Sequence, residues 1–454
     1  MKKSIFSIVL SIIMLCNQLP VAVLAAEPDI SVVNDEAQIS DGGEGKLDNW
    51  QGVMDSQNTT ITLSKSETIS EGNYDLTGKT VTFEGTANID GNVTITGGTI
   101  LRADNNQNAL FSVSDGDSLT LNHITVDGQK GSVNASKPLV DISTGGTVVL
   151  GEGSILTNNK CSANGEGSAV TVYGGTLTIA GGRITQNQCT ASTGGTTIKT
   201  YYGATVTMTA GEISGNSNSK HGGAIQIYGR GLASESRISL TTFRMSGGTI
   251  CNNTASGVGG GVAVSAEAKF VMSGGTICNN TSGDKGGGVA FSENASNNIS
   301  MEISGSAKIT GNKRNGADNN LEIGEANLLK ITGVLENANI GVTTTNIREN
   351  AFTTSEGDIV PAAYINQFSS DNTNYHVAAD DDNKQLLLEK TSNTITINND
   401  LTDATVAEGG TFLFLLRQKR QKSVTSGTPV QTKINSGHNQ FPGQRKIHIQ
   451  YLPV

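Results

Sequence analysis

The segment "SGGTICNNTASGVGGG" starts at Ser246, and "SGGTICNNTSGDKGGG" starts at Ser273, 27 residues later. Near-identity at a fixed period of 20–50 residues is the mark of a solenoid, in which each unit buries its apolar face only against its neighbours. The period extends well beyond these two units. An Ile followed three residues later by Asn recurs at Ile155/Asn158, Ile184/Asn187, Ile213/Asn216, Ile250/Asn253, Ile277/Asn280 and Ile309/Asn312. The Ile-to-Ile steps are 29, 29, 37, 27 and 32. The longest step contains the polar "GRGLASESRISLTT" (229–242), which reads as a loop pushed out of one coil.

One unit reads as three short alternating strands separated by Gly/Asn/Ser turns, and no stretch after the N-terminal segment shows the apolar stripe of a helix. Three strands and three turns per unit predict an all-β, right-handed parallel β-helix, with equivalent strands stacked about 4.8 Å apart. The recurring Asn158, Asn187, Asn216, Asn253, Asn280 and Asn312 are expected at one corner. Asn tolerates the left-handed backbone there, and stacked amides can hydrogen-bond from coil to coil as a ladder. Gly is 56 of 454 residues, well above the usual share of about 7%, as a chain made largely of tight turns requires.

The chain is expected to divide as follows. Residues 1–25 form a signal peptide, with Lys2 and Lys3 before an apolar core and small residues at the cleavage site. Residues 26–60, with Trp50, form a leader and N-terminal cap. The β-helix repeats occupy 61–312 and its closing coils 313–391. Residues 392–414 begin an incomplete immunoglobulin-like module. The basic tail 415–454 is expected to be disordered or to come from a shifted reading frame. No later run is apolar enough to span a membrane, so the mature chain is expected outside the cell.

Of the five cysteines, Cys16 lies in the signal peptide. Cys251 and Cys278 each follow the repeat Ile directly. Equivalent positions in adjacent coils fall within disulfide range, and the sequence leaves both a bond and two facing thiols open. Cys161 and Cys189 also fall in neighbouring units. The spacings fit no metal site, and no cofactor is expected.

The net charge of −10 gives no support for nucleic-acid binding, which favours a basic face. Catalysis is not expected either. Between Glu152 and Asn312 the only Asp is Asp284, the Glu residues stand singly, and the five His are isolated. The single Trp, Trp50, precedes the repeats, and the pair in "TYYG" (200–203) reads as a packed turn. Asp380-Asp381-Asp382 reads as a solvated hairpin.

The "SGGTIxxNT…GGGV" coils resemble the right-handed β-helix regions of large exported surface proteins of Gram-positive bacteria, in the pectate-lyase-like superfamily. "HGGAI" (221–225) is similar to the repeats of polymorphic outer-membrane proteins. Segment 328–390 resembles the closing coils of the Gram-positive proteins, and 394–414 resembles the opening of an immunoglobulin-like module. The resemblance implies the β-helix fold and export; the long, largely polar solenoid surface with its variable loops suits a secreted or cell-surface, monomeric, non-catalytic protein acting in adhesion or as a structural contact module. Host or cell-wall glycans and matrix proteins are its expected partners. The alternative is a polysaccharide lyase or glycoside hydrolase on the same fold.

Overall fold

The computed structural model describes residues 45–391 apart from 231–238, 292–297, 326 and 345–350, together with three short backbone strands further on. Those strands, Ala404–Val406, Ile434–Ser436 and Arg445–Ile449, pair antiparallel. Residues 1–44, expected as signal peptide and most of the leader, and the remainder of 392–414 and 415–454 lie outside the described residues, as does the centre of loop 229–242.

The chain forms a parallel β-solenoid of about nine turns. Alternating apolar and polar residues give each strand one inward and one outward side. The coil at 268–291 is representative. Ala268–Met272 belongs to a first strand stack, Thr276–Cys278 to a second and Val289–Phe291 to a third. Each strand hydrogen-bonds in parallel to its equivalents above and below.

Stacking turns the repeated apolar positions into three columns of core. The first runs Leu119, Val148, Leu177, Val206, Phe243, Phe270, Met301. The second runs Val126, Leu156, Ile184, Ile213, Ile250, Ile277, Ile309, Ile340. The third runs Phe111, Val140, Val170, Ile198, Ile225, Val262, Val289, Leu321. All of these side chains are buried. Burial of one such aliphatic side chain stabilises the fold by about 1.5–3 kcal/mol. Phe243 and Phe270 stack face to face with centroids 5.0 Å apart, the larger rings occupying the same column in successive coils.

A fourth, two-residue strand follows the Asn corner of each central coil. Lys160–Cys161, Gln188–Cys189, Ser217–Asn218, Thr254–Ala255, Thr281–Ser282 and Lys313–Arg314 pair in sequence order. Pairs this short leave no alternation to read in the sequence, so three strands per coil were expected there.

Two short helices also depart from the expectation. Asn49 caps Trp50–Asp55, its side chain accepting from the Gly52 amide at 2.6 Å. A helix of six residues is too short to display a periodic stripe. Its Trp50 and Val53 join the core, and Trp50 meets Tyr74 and Phe83 edge-on at 5.6 and 6.2 Å. Near the other end, Pro361–Gln367 forms a 3-10 helix with Pro in its first turn, where the missing N–H is harmless. The hairpin Tyr375–Ala379/Leu386–Lys390 follows, and Asp380 accepts the amides of Lys384 and Gln385 at its turn. Among the described residues no helix is long and apolar enough to cross a membrane.

Candidate contact surface

The Asn corner is a continuous amide ladder directed into the solenoid. The Nδ2 of Asn187, Asn216, Asn253 and Asn280 donates to the Oδ1 of the next Asn, at 3.2, 2.9, 3.0 and 2.9 Å. Each Oδ1 in the next coil also accepts the backbone amide below it. Asn312 continues the ladder to Asn320, and Asn320 donates to the Asp371 carboxylate at 2.6 Å. The series therefore ends in a charge-assisted bond, stronger than its neutral rungs.

Asn158 does not belong to this ladder; Asn159 takes its place. The second stack aligns Leu156, not Ile155, with Ile184. Counting three residues from the true core position reaches Asn159, whose amide donates to Asn187 Oδ1 at 3.0 Å. Asn158 has φ +53 and donates to Asp127 instead. The left-handed residue and the ladder residue are thus consecutive, not the same. The left-handed position holds Asn158, Gln186, Gly215, Asn252, Asn279 and Gly311 in turn. One coil earlier Gln129 occupies the ladder position and donates to the Arg102 carbonyl, so the ladder starts at Asn159.

Cys251 and Cys278 are joined by a disulfide between register partners, with Cα atoms 4.7 Å apart. Cys161 and Cys189 are buried free thiols, also in register with each other.

The outward side of the third stack differs from the rest of the surface. From Gly167–Tyr173 onward its strands are buried on both sides, as Thr196–Tyr201 is along its whole length, whereas Phe111–Val113 and Val140–Ile142 keep a half-exposed outward residue. Loop 162–166 contributes to that cover. The Tyr201 hydroxyl donates to the Gly165 carbonyl at 2.7 Å, and Thr171 donates to Glu166 Oε2 at 2.8 Å. The outward column reads Asp141, Thr171, Lys199, Gln226, Ala263, Ala290, Glu322 in successive coils.

Beside that column lie four of the chain's eight tyrosines. Tyr173 and Tyr201 are in register in neighbouring coils with centroids 6.0 Å apart. Tyr202 stacks on Tyr173 at 6.1 Å, and Tyr228 meets Tyr201 edge-on at 5.9 Å. Lys199 Nζ sits 4.9 Å from the centroids of both Tyr201 and Tyr228 and donates to Gln226 Oε1 at 2.5 Å. A desolvated ammonium between ring faces is a favourable cation–π arrangement. Tyr173, Tyr202 and Tyr228 each keep part of their ring exposed. Burial, then the charge of Glu166, pushes the Tyr201 phenol up, so it stays a neutral donor.

At the edge of the tyrosines stands a charged cluster. Lys137 and Glu166 pair at 2.6 Å. Asp141 lies near both; burial and then the Glu166 charge raise its carboxyl, while Lys137 opposes the rise. No local motif marks this carboxylate pair, because Asp141 sits one coil before Glu166. Only the register that places Asp141 beside Thr171 unites them. The tyrosines were equally dispersed, across "VYGG", "TYYG" and "IYGR". Aligning those three segments on the repeat is the signal that would have found them.

In chemical terms the surface offers partly exposed rings for stacking, a caged ammonium, and two carboxylates. Both oxygens of Glu166 are engaged, one by Lys137 and one by Thr171. Among the described residues no three His, Cys, Asp or Glu side chains converge as metal ligands would. The chain matches no family model, no curated protein and no solved structure.

Proposed function

We propose that this protein is an exported, non-catalytic contact module whose tyrosine-bearing face engages glycans or matrix proteins outside the cell. The observation that supports this reading most is the cluster Tyr173, Tyr201, Tyr202 and Tyr228. These rings lie on three successive coils, at positions the repeat itself does not require. In register with them, the coil before places Ser143 and the coil after places Ser265. Aromatic side chains combine a large apolar area with a polar tip, a combination suited to recognition surfaces. The basic and apolar N-terminal segment supports export, and the likeness of the coils to Gram-positive surface proteins supports display at the cell surface. A binding screen of the purified chain against immobilised glycans and matrix proteins tests the reading. Saturable binding that Tyr202→Ala abolishes is the expected result. Absence of binding across both panels would refute it.

Asp141 favours a second reading, a polysaccharide-active enzyme. A buried carboxyl that holds its proton more tightly than usual, set beside a second carboxylate, is the arrangement expected of a general acid and its partner. Against it, the Glu166 oxygens are already committed to Lys137 and Thr171. A reducing-end assay on acidic and neutral polysaccharides separates the two readings. Turnover lost in Asp141→Asn would establish the enzyme and displace the contact module.

A further inference from the structure

Cys161 and Cys189 face each other in the two-residue strand stack, as register partners on adjacent parallel coils. Adjacent parallel strands lie about 4.8 Å apart, inside the Cα range of roughly 4.4–6.8 Å that a disulfide spans. The bonded pair in the same molecule, Cys251 and Cys278, stands in the same relation at 4.7 Å. The environment is built for the sulfurs. Both thiols are buried, with relative exposures of 0% and 1%. A Cβ at Gly195 would come within 2.6 Å of Cys189 Sγ, so the bare glycine is what gives that sulfur its space. The two thiols hydrogen-bond to each other, which in the finished coil holds the Cys189 thiol below and, together with burial, the Cys161 thiol above the ordinary value.

We propose that Cys161 and Cys189 are a site of covalent modification, closing a second coil-to-coil disulfide when the protein folds in the presence of a low-molecular-weight disulfide or a disulfide-bonded oxidoreductase. One of the two cysteines, as its thiolate, displaces one thiolate from the oxidant and forms a mixed disulfide. The other then attacks that cysteine's Sγ and expels the second thiolate. The protein loses two electrons, and its two thiol protons end on the two reduced thiols of the oxidant. Because both sulfurs are buried in the finished coil, the exchange belongs to folding, before the 190–195 turn closes over Cys189. The bridge ties together the two coils that carry Tyr173 and Tyr201, but its formation does not depend on what that face binds.

The test is to refold the full chain in mixed oxidised and reduced glutathione, unfold it without reductant in iodoacetamide, and map the peptides. The expected result is a linked peptide containing Cys161 and Cys189, a second containing Cys251 and Cys278, and no alkylation at these four positions. Alkylation of Cys161 and Cys189 beside an intact Cys251–Cys278 bridge would overturn the proposal. So would crossed pairing between the two sets. A Cys161→Ser/Cys189→Ser double variant checks the consequence: it should melt several degrees below the oxidised wild type. Refolding in glutathione makes the outcome independent of whether the protein is exported.

Discussion

Two columns of the same coils are built in opposite ways. At the Asn corner, every coil from Asn159 to Asn320 repeats one residue, and nearly all of its hydrogen-bonding capacity is used inside the solenoid. On the outer side of the third stack the frame repeats but the side chains change. Asp141, Thr171, Lys199 and Gln226 follow one another, with tyrosines beside three of these coils. The corner is turned inward and buried; the face carries half-buried tyrosines. Function in a solenoid is therefore sought where the coils differ. What recurs in every coil holds the fold, and what appears in a few coils only is available for contact.

The largest expected effect comes from breaking the corner. Asn253 Nδ2 donates to the carbonyls of Ile213 and Cys251 and to Asn280, and its Oδ1 accepts from Asn216. Asn253→Leu strands several buried groups at once, each costing about 1–3 kcal/mol. Denaturant unfolding should show a loss of at least that size. An unchanged midpoint would mean that the ladder contributes nothing net.

A core truncation on the same coil gives a calibration. Ile250→Ala removes a fully buried side chain, and such changes cost about 2–5 kcal/mol. If Asn253→Leu proves as damaging as Ile250→Ala, the polar ladder and the apolar columns share the task of holding coils together. A far smaller loss for Asn253→Leu would assign that task to the columns.

A smaller effect is expected at Asp141, and it depends on pH. Burial and Glu166 raise its carboxyl in the folded protein above the ordinary value. The folded state therefore holds this proton more tightly than the unfolded state does. The resulting stability is complete below about pH 4, the ordinary carboxyl range, and is lost as pH rises through the raised value. Asp141→Asn should flatten the stability profile over mildly acidic pH. A profile identical to wild type would show that Asp141 is not held in this way.

The smallest effect is expected at Asn158. It occupies a left-handed position outside the ladder. Asn158→Gly keeps that backbone conformation accessible and removes only a partly buried bond to Asp127. Stability should change by less than about 1 kcal/mol. A loss matching that of Asn253→Leu would put Asn158 back among the ladder residues.

Much of this architecture was legible in the chain because a solenoid converts sequence period directly into spatial neighbourhood. The Ile/Asn spacing located the second stack and five of its corner residues. It failed at one coil, where Ile155 and Leu156 are adjacent and only strand pairing decides which points inward. The tyrosine-bearing face was not legible. Its tyrosines and its Asp141/Glu166 pair are brought together by stacking; the Tyr-Gly step the tyrosine segments share shows only once they are aligned on the repeat, and Asp141 and Glu166 share no motif. The six-residue helix at Trp50 was missed because it is shorter than two helical turns and is fixed by the Asn49 cap and by Trp50 burial.

The most direct test of this division of labour measures binding and melting together on one variant. Tyr202 keeps part of its ring exposed and lies outside the three core columns, stacked on Tyr173. Tyr202→Ala should abolish or greatly weaken binding to whichever glycan or matrix surface the wild type recognises, while its melting temperature stays within a few degrees of wild type. Full binding by Tyr202→Ala would contradict the account, as would loss of binding that merely follows loss of the fold.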